Sequence, residues 1–237
     1  AAGVPGTVAG LAMALEQYGT MSLPEALAPA IDLAENGFPL PQRFVDGIRD
    51  ARMNFEPWEA SRAKFFKADG SDYQVGDIFR QPDLAATLKR IAEKGAREFY
   101  EGETAQLIVA EMQAHDGLIT MEDLAAYQPI IREPSHGTYR GYDIYAMSPP
   151  SSGGAHIVQM LNILEDYDIG AMGFNSAATI HVMAEAMKRA YADRSEYLGD
   201  TDFVDVPLDG ITAKAYADEL RQGISMDEAT PSTSLAP

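Results

Sequence analysis

Residues 154–165 read Gly-Ala-His-Ile-Val-Gln-Met-Leu-Asn-Ile-Leu-Glu, with helical spacing and apolar side chains on nearly every face. A surface helix keeps one face for water. This one does not, so the segment predicts a helix buried among other elements. The chain is long enough to supply them, since 237 residues allow one large domain or two small ones. Hydrophobic residues make up 46%, which excludes an intrinsically disordered chain.

Helical periodicity dominates the first half. Val8, Leu11, Ala12 and Leu15 recur at helical spacing before a stop at Tyr18-Gly19. Leu23, Ala26, Leu27, Ala30, Ile31 and Ala34 do the same up to Asn36-Gly37, with Pro24 in the N-terminal turn, where it is tolerated. Further helices are expected over 42–52, 83–93 and 104–112, with Gly95 and Gly117 as stops after the last two. Thr120 should cap a short helix through Ala126. Residues 54–80 are mixed, with turn signals at Asp69-Gly70 and Val75-Gly76-Asp77.

The period then changes. Residues 129–132 and 137–140 read as extended, and Tyr142, Ile144 and Ala146 alternate with Asp143, Tyr145 and Met147 as in a strand. Helices are expected again over 176–197 and 213–221. No repeat, low-complexity segment or linker interrupts the chain, which reads as one continuous, helix-rich α+β piece. Residues 231–237 read as a loop without helix or strand. With Ala1 rather than Met at the start, both ends read as cut.

Lys plus Arg number 18 against 36 Asp plus Glu, a formal net charge of -18. That balance argues against binding nucleic acid through phosphates and against docking on an anionic membrane. There is no cysteine, so disulfides, thiolate-ligated metals and a cysteine nucleophile are excluded. No apolar run approaches the length of a membrane span. The four histidines, His115, His136, His156 and His181, show no i, i+4 pair and no HExxH pattern, so no metal ligand is assigned. His156 and His181 fit better as hydrogen-bonded core histidines than as catalytic ones.

Two segments stand out. Residues 3–10 (Gly-Val-Pro-Gly-Thr-Val-Ala-Gly) lead into a helix, where backbone amides could hold an anion. They match neither the Walker nor the GxGxxG pattern, and close packing of small residues is the favoured reading. Residues 148–154 (Ser-Pro-Pro-Ser-Ser-Gly-Gly) join the strand to the buried helix. Ser151 or Ser152 could be a nucleophile, but the GxSxG elbow is absent, and helix capping is favoured over lining a ligand site. Glu185, Lys188, Arg189, Asp193, Arg194, Glu196 and Asp200 crowd the long helix, with Glu185 and Arg189 in the favourable i, i+4 order. A solvated, salt-bridged face is favoured there over buried ion pairs at a subunit seam.

Taken together, the stretches at 3–10, 18–23, 99–102, 117–127, 139–142, 149–154, 156–165, 183–186 and 190–200 resemble the large-subunit region of bacterial gamma-glutamyltranspeptidases. The resemblance covers essentially the whole chain, in order. It implies an N-terminal-nucleophile hydrolase with an αββα sandwich, of which residues 1–237 are the helix-rich part. Such a precursor cuts itself into a large and a small subunit. The new N-terminal Thr of the small subunit attacks the gamma-glutamyl amide of glutathione and related compounds, and its own α-amine can serve as base. Water or an amino-acid or peptide amine then takes the acyl group.

By the same resemblance, that Thr should lie a short way beyond Pro237, and the arginine that grips the substrate carboxylate should precede Ala1. Thr233 lacks the strand that would follow the nucleophile. No residue is therefore assigned a catalytic, substrate-binding or metal-binding role, and no cofactor is expected. The small catalytic subunit is the expected partner, together with a small gamma-glutamyl substrate, and a periplasmic or secreted location is implied. Cephalosporin acylase or poly-gamma-glutamate processing activity are alternatives within the family, and a non-catalytic scaffold is an alternative outside it. The chain alone is expected to be inactive.

One energetic expectation follows from the buried helix. Ala155, Ile157, Val158, Leu161, Ile163 and Leu164 spread too widely for one layer of this chain to cover. About 1,000 Å² of bare apolar surface would forgo on the order of 25 kcal/mol. A domain's net stability is only about 5–15 kcal/mol. Stable folding is thus expected only with the flanking polypeptide or the small subunit.

Overall fold

The computed structural model describes residues 3–235. Two compact units are seen, dividing between Ile130 and Ile131, where the sequence reads as one continuous piece. No glycine- or serine-rich linker marks the division. Ile130 and Ile131 are themselves largely exposed, although no change in composition marks the boundary.

The first unit holds α1 (Thr7–Tyr18), α2 (Leu23–Asn36), β1 (Phe38–Pro39), α3 (Gln42–Asp50), α4 (Arg52–Phe55), α5 (Glu59–Phe65), β2 (Ile78–Phe79), α6 (Pro82–Lys94), α7 (Arg97–Glu101), α8 (Glu103–Ala114) and α9 (Met121–Ala126). The caps follow local chemistry. Ser22 and Glu25 close a capping box on α2, and Thr120 and Asp123 close another on α9. The helix expected over 42–52 is broken at Ala51 into α3 and α4. β1 and β2 pair antiparallel, Phe38 opposite Phe79, and help enclose a small core of Leu40, Val45 and Phe79. A second core gathers Tyr100, Ala105, Val109, Ile119 and Leu124.

The second unit holds β3 (Ser135–Tyr139), β4 (Tyr142–Ala146), α10 (Gly153–Leu164), α11 (Ile169–Met172), α12 (Ala177–Tyr197), α13 (Leu208–Ile211) and α14 (Lys214–Gln222). Residues 129–132 are unpaired, so the extended reading yields a strand only from Ser135. β3 and β4 form a hairpin whose two-residue turn, Arg140 and Gly141, has both φ angles positive, the turn that matches strand twist. Arg140 is held there by bonds from its amide to Glu165 Oε1 at 2.8 Å and from its guanidinium to the carbonyls of Glu165 and Tyr167. The loop expected over 231–237 contains one 3-10 turn, Ser232–Ser234; Ala236 and Pro237 lie outside the described residues.

α10 is buried as its pattern predicts. It packs against the hairpin, α12 and α14. Gly154, Ala155, His156, Val158, Gln159, Asn162 and Ile163 are buried. Three neighbouring elements of this chain cover Ala155, Val158 and Ile163, so the bare surface expected on α10 shrinks to Ile157, which is 45% exposed, and to the partly covered Leu161 and Leu164. The C-terminal carbonyls of α10 are met by Arg221, whose Nε donates to Ile163 O at 2.9 Å and Nη2 to Asn162 O at 2.8 Å.

Candidate functional site

At the start of α1, the Ala9 amide of the first turn faces a protein side chain. Tyr100 Oη accepts from Ala9 N at 3.1 Å and donates to Pro5 O at 2.8 Å. Burial raises the Tyr100 phenol above its ordinary pKa, against the pull of the Ala9 amide, so it stays a neutral hydroxyl. The close-packing reading holds at Gly6, where an added Cβ would lie 2.1 Å from Tyr127 Oη. It fails at Gly3 and Gly10, which have open space around them.

The turn from β4 into α10 is tight. A Cβ on Gly154 would lie 2.1 Å from Met147 O, so only glycine lets the helix start this close to the strand end. The Pro149–Pro150 bond in the turn is cis. Ser152 occupies the N-cap position of α10 but makes no capping bond, a correction to the capping expectation. Its Oγ instead accepts from Arg194 Nε of α12 at 3.0 Å, while Ser151 Oγ accepts locally from Gly153 N at 3.3 Å. Among the described residues neither hydroxyl is bonded to a histidine, so no nucleophile–base pair forms here.

The histidines are scattered. His115 lies near Glu111 and edge-on to Trp58, and His136 pairs with Asp143 across the hairpin at 2.8 Å. His181 Nε2 donates to Ser225 O at 2.7 Å, as a hydrogen-bonded histidine should. His156 is buried, but neither ring nitrogen has a partner among the described residues, which corrects the hydrogen-bonded expectation. Burial lowers its pKa, the Arg194 charge adds to this, and Asp193 opposes it. Among the described residues no three His, Asp or Glu side chains gather in a way that could hold a metal ion.

The charges of α12 are where sequence reasoning departs furthest from the structure. Glu185 is fully buried, Asp193 is 1% exposed and Arg189 4%, so a buried network replaces the favoured solvated face at these three, while Arg194 and Glu196 stay exposed as expected. Arg189 Nη1 and Lys188 Nζ each donate to the Glu185 carboxylate at 2.6 Å. Burial alone would push Glu185 up; donors from Lys188, Thr230 and Arg189 outweigh it and hold the carboxyl down to about 2. One turn further on, Asp193 accepts from Gln159 Nε2 of α10 and from Tyr216 Oη of α14 at 2.9 Å. Burial, and then that bond to Asp193, raise the Tyr216 phenol. A signal existed for part of this: His156, Gln159 and Asn162 recur every third residue within an otherwise apolar helix, which marks a polar stripe.

Another strip of α12 is apolar and open. Ile180, Met183, Met187 and Tyr191, at helical spacing, are each between 44% and 56% exposed. Met187 and Tyr191 also line an open hollow of about 540 Å³ with Lys188, Ala192, Ser195, Ser232 and Leu235.

The described residues thus define a helix-rich α+β scaffold with buried polar ties and an uncovered apolar strip, rather than an assembled catalytic centre. The gamma-glutamyltranspeptidase family model matches residues 1–237, and the chain belongs to that family. It is 50% identical over 238 residues to the glutathione hydrolase proenzyme of Escherichia coli strain K12, covering all of this chain and 41% of that protein. It is 44% identical over 229 residues to the acylase ACY 1 proenzyme of Pseudomonas sp. strain V22, covering 97% of this chain and 41% of the relative. Its fold matches the crystal structure of Helicobacter pylori gamma-glutamyltranspeptidase with a TM-score of 0.97 at 49% identity, covering all of this chain and 68% of that one. The chain therefore spans about two fifths of the length of these proenzymes. It has the helix-rich large-subunit fold of this group of N-terminal-nucleophile hydrolases.

Proposed function

We propose that the complete protein is a self-processing gamma-glutamyltransferase and glutathione hydrolase, to which this chain contributes large-subunit scaffold. The observation that carries the reading is family membership over every residue, in a chain whose described residues form no nucleophile–base pair of their own. In this reading the small subunit supplies the N-terminal Thr. Its hydroxyl adds to the gamma-glutamyl carbonyl, the amine leaves with a proton, and water or an acceptor amine releases the acyl group. The small subunit covers the strip of Ile180, Met183, Met187 and Tyr191 on α12. The mature protein is periplasmic or secreted. Among the described residues no helix is long and apolar enough to cross a membrane.

The test is turnover of gamma-glutamyl-p-nitroanilide. The complete precursor is expected to process and turn the substrate over, and residues 1–237 alone to be inert. Turnover by the chain alone, abolished in Ser151→Ala or Ser152→Ala, would move the chemistry to the serine turn. The likeness to an acylase proenzyme, and at 31% identity to the structure of a cephalosporin acylase from Bacillus halodurans, favours a second reading, cephalosporin acylase activity. Parallel assays with both substrate types on the processed enzyme decide between them.

A further inference from the structure

After α14 ends at Gln222 the chain does not leave the unit. Residues 223–231 carry no helix or strand, yet they are tied to α12 at several points. Arg189 Nη2 donates to Gly223 O at 2.6 Å, and His181 Nε2 bonds Ser225 O. Thr230 is gripped most completely. Its amide donates to Glu185 Oε1 at 3.0 Å, its carbonyl accepts from Lys188 Nζ at 2.8 Å, and its hydroxyl accepts from Arg189 Nη2 at 3.4 Å. From Ser225 the strap thus follows α12 from His181 back towards Arg189, and Ser232 and Leu235 continue beside Tyr191 and Ser195.

A buried carboxylate with two cations is a costly way to hold two elements together, because apolar contacts of the same size do so without desolvation. What it adds is direction. The ions grip the amide and the carbonyl of one strap residue, which fixes the path and register of a segment without regular structure. We propose that Glu185, Lys188 and Arg189 are positioning residues for self-cleavage, clamping the strap at Thr230 so that the junction downstream is presented in a cleavable geometry. This rests on the self-processing precursor proposed above. In the net reaction the amide C–N bond before the new Thr breaks. Water gives its hydroxyl to the carbonyl carbon and a proton to the nitrogen, leaving a carboxylic acid and an α-amine, and the acid then passes its proton to the amine. A displacement of about 1 Å at such a centre costs roughly a hundredfold in rate.

The experiment follows the appearance of the two chains from purified full-length precursor on denaturing gels, in wild type, Glu185→Gln and Lys188→Met. Each variant is also made as mature enzyme by co-expressing the two chains separately, which bypasses cleavage, and its melting temperature and kcat are measured. Glu185→Gln is expected to slow cleavage by roughly tenfold or more, and Lys188→Met, at a half-exposed position, by about threefold. Both should leave the kcat of the bypassed enzyme within about twofold of wild type. Cleavage at the wild-type rate in both variants overturns the clamp. So does a fall in cleavage matched by the same fall in bypassed kcat, which would mean a merely structural role. If Glu185→Gln precursor does not fold, Lys188→Met decides alone. A wild-type precursor that stays in one piece overturns both the clamp and the proposed function, whereas one that cleaves and hydrolyses while the variants cleave normally overturns the clamp only.

Discussion

Each unit buries a glutamate, and the two are used differently. In the first, Glu98 accepts from Thr104 N at 3.1 Å and Thr104 Oγ1 at 2.7 Å, with Arg90 Nε 3.4 Å away. Its partners lie close in sequence, and its work is to satisfy the first turn of α8. In the second, Glu185 joins Arg189 one turn along the same helix to Thr230, 45 residues further on. A local carboxylate ends or starts a helix; a distant one decides where the chain goes. The first kind can be traded for another cap, whereas the second is held by two cations, Lys188 and Arg189, together with the Thr230 amide.

The sharpest way to break that contrast is to remove one ion from each. Arg189→Met leaves the buried Glu185 with Lys188 as its one remaining cation and is expected to cost about 3 kcal/mol. Glu98→Gln, which keeps an acceptor for Thr104, is expected to cost about 1–2 kcal/mol. Denaturant unfolding of the assembled enzyme measures both. Equal losses would show that the difference in reach carries no energetic weight.

Acid sharpens it next. The Glu185 carboxyl is held at about 2 against an ordinary 4.5, so its stabilisation is complete above pH 4.5 and is lost as pH falls through 2. That loss is on the order of 3 kcal/mol. His156 acts at higher pH. Its folded pKa lies below 6.5, so the unfolded chain takes up the proton first and stability begins to fall below pH 6.5. The groups facing it are Gln159 on its own helix and Tyr191, Asp193 and Arg194 on α12. Thermal melts from pH 8 to about 3 should show the first stage in full and the onset of the second. His156→Gln should remove the first and leave a decline starting near pH 4.5.

The mildest test compares two glycines. Gly154→Ala meets the Met147 carbonyl, a backbone atom that cannot step aside, and is expected to cost about 3 kcal/mol. Gly6→Ala meets the tip of Tyr127, which is stacked on Tyr100 with 5.6 Å between centroids but can tilt, and should cost about 1 kcal/mol. The reverse order in melting temperature would show that the first unit is the more rigid of the two.

Most helices were legible because their evidence is local. The capping box at Thr120 and Asp123, the stop at Gly95 and the all-round apolar pattern of 154–165 each involve residues within a few turns of one another. β1 and β2 were not legible: each has two residues, and Phe38 meets Phe79 across 41 positions of chain. The α12 charges were visible as residues but not as buried ones. Periodicity marks a polar face without saying whether water or a returning strap covers it. The serines of 148–154 were visible as unusual, yet the partner that Ser152 finds, Arg194, sits 42 residues away, and no spacing rule connects them.

The close seat of Gly154 against Met147 has a mechanical consequence. With room between strand end and helix start for a glycine but not for one more carbon, the joint has little slack, and bending that narrows it would drive the helix start towards the carbonyl. The hairpin and α10 are therefore expected to turn together as a single lever. Tyr142 and Tyr145 stand largely exposed on that hairpin, so a force applied to their rings is transmitted along α10 to its far end, where the Arg221 guanidinium holds the Asn162 and Ile163 carbonyls.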